Sequence, residues 1–361
     1  MITTIITTYK RPLLLKRALK SVLNQTYPHF QVFIYDNASN DETETIVKEL
    51  SKNDSRIHYH KHPHNIGMMA NYAYAFSKIK TPYFSFLSDD DYFLPWFFET
   101  ALEAFSKNPD AAFSSCGVLA VNKSNDVVAD PLSEWSREGL YSVPEGLLEM
   151  ISSKNFPQPT GILFQHAIVK EIHPDWSPAI QVMWDPDYLI QIAARFPITI
   201  TKKVCGIYYA HEEAFSTGFY KNILESTKNL DAYFTAVLMI MQKIQNNPLI
   251  NPSVKKAAVR VYRKSLKNEI SNYMHHFVEN NNFKAVYYST IQAYKYCGVN
   301  SRILKLIFKS VLKYKYRKIY DTLQNVFSKK MNPAVSSKPC PPSHWRSFQD
   351  YQEYAHSINS Q

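Results

Sequence analysis

Three consecutive carboxylates, Asp89, Asp90 and Asp91, close the apolar run Tyr83 to Leu87 (YFSFL). Side by side at the end of a buried strand they repel one another, and one is pushed toward protonation unless a cation or open water intervenes. A divalent metal resolves the conflict. Hard oxygen ligands favour magnesium or manganese, in sites that use one or two carboxylates and complete the shell with substrate phosphates. The expected partner is therefore a diphosphate, and the plainer alternative is a solvated acidic turn. Two further polar groups stand at equivalent places: Thr8 and Tyr9 end the run that begins at Ile2, and Asp36 and Asn37 follow Gln31 to Tyr35 (QVFIY). Ligands of open α/β sheets bind beyond the carboxyl ends of the strands, so three such groups at one edge mark a site.

The elements that must hold these residues alternate as strand and helix with a period of about thirty residues, the pattern of a parallel sheet built from βαβ units. Ile2 to Thr8 reads as a strand, and Pro12 then suits the first turn of a helix reaching about Asn24. Ser39 and Glu42 have capping-box spacing before a helix with Ile46, Val47 and Leu50. Arg56 to His62 is a third strand, Met68 to Phe76 a helix, Tyr83 to Leu87 a fourth strand, and Ala111 to Val121 another. A polar, Pro-containing stretch runs on to Pro159, with apolar runs at Ile162 to Phe164 and Ile198 to Ile200. Beyond Phe219 the pattern is helical: Leu224 to Gln245, Ser253 to Val278, Phe283 to Tyr296 and Ser301 to Phe327. The expected division is a catalytic domain over 1–219, a basic helical region over 220–327 and a polar, Pro-containing tail over 328–361.

The net charge of +10 belongs to the second part. Residues 1–219 hold 19 Lys and Arg against 24 Asp and Glu, whereas 220–361 hold 22 against 7. With 45% apolar and 20% charged residues the composition is that of a folded globular chain. Cys116, Cys205, Cys297 and Cys340 lie far apart without CxxC spacing, which suggests neither zinc nor a disulfide framework and fits a reducing cytoplasm. The N-terminal residues read as a strand rather than a secretory segment, and no run of about 18 apolar residues predicts a membrane span.

The segments ITTYKRP (Ile6 to Pro12), YDNASNDET (Tyr35 to Thr43), NIG (Asn65 to Gly67) and FLSDDDYFLP (Phe86 to Pro95) resemble, in order, the motifs of family 2 glycosyltransferases with the GT-A fold. The resemblance spans about Met1 to Leu102 and continues more weakly to Ser216. It implies an α/β, Rossmann-like catalytic domain with a mostly parallel sheet, and inverting transfer of a hexosyl or N-acetylhexosaminyl group. The implied donor is a nucleotide-diphosphate sugar, UDP-linked in most relatives, with Mn2+ or Mg2+ as cofactor. By motif, Thr8, Tyr9 and Arg11 would line the base pocket, with Asn37 and Asn65 nearby. Asp36 would bond the pyrimidine, Asp89 would face ribose or sugar, Asp90 would support either role, and Asp91 would ligate the metal. Ser88 stands where many relatives carry another aspartate, leaving open which two carboxylates act. WDPDYLIQIAARF (Trp184 to Phe196) resembles the segment that supplies the catalytic base, at Asp185. Trp184 replaces the usual acidic neighbour, so Asp187 competes, and a helix N-cap is the structural alternative. His211 in YYAHEEAFS resembles a histidine near the donor phosphates, able to ligate metal, although a surface or packed histidine fits as well.

His58, His60, His62 and His64 alternate like a ligand set, but a solvated strand edge is the expected reading. The basic amphipathic stretch with Lys305, Lys309, Lys313, Lys315, Arg317 and Lys318 could lie on an anionic membrane bearing lipid-linked acceptors, making the protein peripheral there, or pack on the catalytic domain. Synthesis of a surface polysaccharide or glycoconjugate is what the resemblance implies. A sugar nucleotidylyltransferase would carry a glycine- and arginine-rich loop after the first strand, which TTYKRP is not. A non-catalytic sugar-, nucleotide- or RNA-binding protein would explain the basic part but not the converging aspartates, and no nucleic acid is expected.

Overall fold

A computed structural model describes residues 1–153, 155–211, 214 and 227–315. Glu212, Glu213 and Ser216, the 219/220 boundary, Arg317, Lys318, Cys340 and the tail lie outside the described residues.

The central strand β1 (Ile2–Thr8) is buried at every position. It pairs in parallel with β2 (Phe30–Asp36) on one side and β4 (Tyr83–Ser88) on the other, and β3 (Ile57–Lys61) adds to β2. Successive side chains alternate between faces. Ile2 and Ile6 pack with Leu15 and Leu19 of helix α1 (Pro12–Leu23), whereas Ile5 faces Ala75 of α3 (Met68–Phe76). The buried threonines find partners: Thr4 Oγ1 lies 3.0 Å from Ser85 Oγ, and Thr81 donates to Thr3 at 2.7 Å.

Past β4 the direction changes. β9 (Ile162–Gln165) runs antiparallel to both β4 and β6 (Phe113–Val121), and β10 (Ile198–Tyr209) then lies parallel to β6. The sheet order is β3-β2-β1-β4-β9-β6-β10-β5, with the short β5 (Tyr92–Phe93) at its edge. β10 is far longer than Ile198 to Ile200 alone suggests, because Val204 to Ile207 are buried against β6 and β5. The polar stretch before Pro159 holds β7 (Val127–Ala129), β8 (Gly139–Tyr141) and helix α5 (Glu145–Ser153). Other helices of this part are α2 (Thr43–Ser51), α4 (Phe97–Lys107), the single-turn α6 (His166–Val169) and α7 (Trp184–Ala193). The expected α/β class with a mostly parallel sheet and a helical C-terminal region is what the described residues show.

Two local expectations change. Helix α2 has Glu42 at its N-cap with no side-chain cap bond, because the Ser39 hydroxyl accepts from the Lys10 backbone N–H (2.8 Å) instead of capping α2. The histidines on and just after β3, the edge strand of the sheet, are solvated only in part: His64 is exposed, whereas the other three are engaged. His58 stacks on Phe33 at 4.3 Å, His60 on Tyr74 at 4.9 Å, and buried His62 bonds Asn71 at 3.0 Å.

The C-terminal helices α8 (Thr227–Asn246), α9 (Pro252–Glu279), α10 (Phe283–Tyr296) and α11 (Ser301–Lys315) pack on this body. One buried apolar cluster runs from Phe84 and Phe164 through Tyr188 to Phe234, Ile270 and Ile303. Asn251 and Asn282 cap α9 and α10 by accepting backbone N–H bonds from Ser253 and Ala285.

Candidate functional site

The loops after β1 and β2 are tied together at the carboxyl edge. Lys10 and Ala38 both have positive φ (56° and 66°), a strained choice for residues with a Cβ, which holds each turn tight. Asp36 is fully buried, and its two oxygens accept from the Ser39 N–H (2.8 Å) and the Tyr59 hydroxyl (2.6 Å). Asn37 and Asn65 brace each other: Asn37 Nδ2 donates to Asn65 Oδ1 at 3.0 Å, and Asn37 Oδ1 accepts from the Ile66 N–H at 2.8 Å. Gly67, at φ +88°, supplies the turn that starts α3. Tyr9 stays 39% exposed beside Asn65, whose hydrogen bond lowers its phenol pKa.

The three adjacent aspartates have different surroundings. Asp89 accepts from Thr8 Oγ1 (2.7 Å) and Arg11 (3.1 Å), and burial, followed by the charge of Asp90, pushes its pKa up to about 6. Asp90 Oδ2 meets Arg11 at 2.8 Å and His211 Nε2 at 3.0 Å, and its backbone carbonyl accepts from Arg17 at 2.5 Å. Asp91 turns elsewhere. It accepts from Thr160 Oγ1 through one oxygen and from the Tyr209 N–H (3.0 Å) through the other. Burial, then Asp90, pushes the Asp91 carboxyl up to about 8. The residue expected to ligate metal thus spends both oxygens tying the β4–β5 turn to β10 and the segment before β9. The approach there is close: a Cβ on Gly161 would stand 2.5 Å from Val118 Cγ2 and 2.6 Å from the Cys116 carbonyl oxygen.

Asp185 and Asp187 lie in the first turn of α7, with Met183 and not an aspartate at the N-cap. Trp184 anchors this turn, its ring 5.6 Å from Phe86 of β4 and 5.1 Å from Tyr72 of α3. Tyr72 in turn bonds Thr7 and feels the charges of all three aspartates, while burial is the main cause of its raised pKa. The base-candidate turn therefore docks beside the acidic edge. Burial pushes Asp185 up to about 7, opposed only by a bond from its own backbone. Asp187 is buried and already engaged: Lys243 of α8 donates to it at 2.6 Å and to Asp175 at 2.7 Å.

Among the described residues no three His, Cys, Asp or Glu side chains are grouped to hold an ion by themselves. The donor set at the edge is a carboxylate and an imidazole in contact, Asp90 and His211, with Asp89 adjacent. That pair fits manganese or magnesium only as part of a shell completed by ligand oxygens, as a diphosphate would supply. Sequence reasoning passed over Arg17, Thr160, Tyr72 and Lys243. Thr160 lies in an irregular stretch and Arg17 on an ordinary amphipathic helix, so neither carries a mark. A tyrosine on the sheet-facing side of α3 was a readable signal for Tyr72.

Residues 3–156 match the family model described as glycosyl transferase family 2. Over 153 residues the chain is 28% identical to a GalNAc(5)-diNAcBac-PP-undecaprenol beta-1,3-glucosyltransferase of Campylobacter jejuni, covering 42% of this chain and 46% of that one. The chain thus spans less than half the length of that relative. The fold is similar to that of S. aureus TarS 1–349 in complex with UDP, at TM-score 0.59 and 14% identity, over 93% of this chain and 95% of that one. It is also similar to the mannosyltransferase PcManGT of Pyrobaculum calidifontis in complex with GDP-Man and Mn2+, at TM-score 0.54 and 12% identity, over 91% and 87%. These likenesses extend the GT-A fold over the sheet-bearing part and into the C-terminal helices.

Proposed function

We propose that the chain transfers a sugar from a nucleoside-diphosphate donor to an acceptor hydroxyl with inversion, a reading supported by the match of residues 3–156 to the glycosyl transferase family 2 model and by the likeness of the fold to solved transferases. The carrying observation is the linked set Thr8, Arg11, Asp89, Asp90 and His211 at the carboxyl edge, beside the α7 turn that bears Asp185.

In this reading the nucleoside enters over Tyr9, Asp36, Asn37 and Asn65. Arg11 and His211 meet the diphosphate, and Asp89 faces the ribose or sugar. Asp90 and His211, rather than Asp91, would hold a divalent ion, which when bound stabilises charge on the departing diphosphate. Asp185 takes the proton from the acceptor hydroxyl as its oxygen bonds to the anomeric carbon, and the bond from that carbon to the diphosphate oxygen breaks on the opposite face. A UDP-sugar is the proposed donor, because solved relatives bind UDP and UDP-GlcNAc, although another carries GDP-Man. A lipid-linked acceptor is supported by the undecaprenol-linked glycan that the Campylobacter relative is named for.

The outer faces of α10 and α11 support a membrane contact. Tyr287, Ile291 and Tyr294 on one helix and Leu304, Phe308 and Val311 on the other are exposed by 43–81%. Exposed Lys284, Lys295, Lys305 and Lys315 border them, the composition of an interfacial surface for anionic lipid. Among the described residues no helix is long and apolar enough to cross a membrane. A thermal-shift panel of UDP- and GDP-sugars with and without manganese tests the donor reading. A ligand at about a hundred times its Kd adds about 2.7 kcal/mol, and no manganese-dependent shift from any nucleotide sugar would count against it.

A further inference from the structure

A concavity of about 1020 Å³ shares no lining residue with the carboxylate site. Its wall is one face of α9, which presents Lys255, Lys256, Arg260, Arg263, Lys264 and Lys267. Among the described residues, none of these side chains is engaged in an ion pair or hydrogen bond, and no Asp or Glu lines the cavity. On the neighbouring helices some cations are compensated: Lys243 of α8 holds Asp175 and Asp187, and Lys309 and Lys313 of α11 hold Glu279. The spacing from Lys256 through Arg260 and Arg263 to Lys267 keeps the charges on one side over three turns, a length of roughly 17 Å at 1.5 Å per residue. Uncompensated cations in a concave wall repel one another and focus field into the groove, which favours an anion with several charges over a single one.

The remaining lining narrows the ligand class. Gln245, Asn268 and Asn300 offer amides that both donate and accept, suited to hydroxyls, while the arginine forks suit phosphate or carboxylate oxygens. No aromatic ring lines the groove, so it lacks the stacking surface that single-stranded nucleic acid uses. A bilayer is flat, and the exposed apolar side chains that would enter one stand on α10 and α11, outside this wall.

We propose that this groove binds an acidic glycan, a chain whose repeats carry phosphodiester or carboxylate groups alongside hydroxyls. That such a chain is the acceptor rests on the transferase reading; the binding itself does not. Calorimetric titration of the full chain, without donor or metal, tests it with poly(glycerol phosphate) and polygalacturonate as the two anionic probes, and neutral dextran and a poly-uridine RNA of matched charge as controls. One or both anionic probes are expected to bind in a salt-sensitive way, and the one that binds tells phosphodiester from carboxylate. Arg260→Gln with Arg263→Gln, both exposed, should weaken that binding at least tenfold while leaving Tm and the manganese-dependent shift by a UDP-sugar unchanged. Equal binding by parent and variant, binding of neither anionic probe, or tighter binding of the RNA overturns the proposal. Loss of the donor shift with glycan binding intact would instead overturn the transferase reading and leave this site standing.

Discussion

Asp185 carries a carboxyl that burial pushes up to about 7 and that no other described side chain offsets. As a base it must be ionised, so turnover should climb with pH through about 7 and fall about tenfold per unit below it. Asp185→Asn should lower kcat by about 10²–10⁴ while donor Kd stays put. A parallel loss of donor binding would make the residue structural. The same shift has a stability consequence of opposite sense. Between about 4 and about 7 the folded chain keeps a proton that the unfolded chain has released, so this carboxyl's contribution is complete at low pH and lost as pH rises through about 7. The Asn variant should therefore have the higher Tm at pH 8 and a matching one near pH 4. A second contrast separates neighbouring aspartates. Asp90→Asn should abolish manganese-dependent donor binding, because it removes the anion facing His211 and Arg11. Asp91→Asn should retain it, since an amide can still accept from the Tyr209 N–H and pair with Thr160. Equal loss in both variants would return the metal to Asp91.

At the scale of elements, Lys243 joins α8 to the turn that bears Asp185, bridging Asp187 and Asp175. Lys243→Met would strand the buried Asp187 carboxylate without its cation, a change that costs about 3–5 kcal/mol when a buried pair loses one partner. Urea unfolding should show that loss, and adding Asp187→Asn should recover most of it. Additive losses would mean that the two groups do not interact. The same bridge shows where sequence reading stops. β1 to β4 were legible because Ile, Val and Phe alternate with turn residues at a steady period, and the aspartates and Thr8 announced themselves by type and place, whereas His211 was singled out only through the family resemblance. Three things were not. The antiparallel insertion of β9 depends on tertiary pairing with Phe84 and Phe113, which leaves no local trace. The different hydrogen bonding of Asp90 and Asp91 is set in part by Thr160 and Tyr209, distant from Asp91 in the chain by 69 and 118 residues. Asp187 was open as a base until a lysine 56 residues away claimed it.

Over the whole molecule, charge and apolar surface are segregated: an acidic edge at the strand ends, a basic groove on α9, and an aromatic and aliphatic stripe across α10 and α11. At one end of the stripe Phe283 and Tyr314 meet edge to face at 5.1 Å across the two helices. Buried residues on the inner sides, Ala285, Ala293, Ile303 and Leu306, fix which sides remain outward. The amphipathic α11 packs inward through Ile303 and Leu306, as one reading of its sequence expects, and exposes Leu304, Phe308 and Val311, the side chains on which the membrane proposal rests. Each lysine close to an anionic bilayer contributes about 1 kcal/mol, and each apolar side chain that enters the headgroup boundary adds its buried area. Flotation with vesicles containing phosphatidylglycerol should carry the full chain upward at low salt, less so at high salt, and little with phosphatidylcholine alone. Leu304→Ser with Phe308→Ser should reduce recovery several-fold without lowering Tm, because neither side chain is buried. Arg260→Gln with Arg263→Gln should leave flotation unchanged, since those cations line a groove and the lipid meets the stripe. Equal recovery of the serine variant would assign the stripe to a protein partner and leave the acceptor's membrane to be reached in another way.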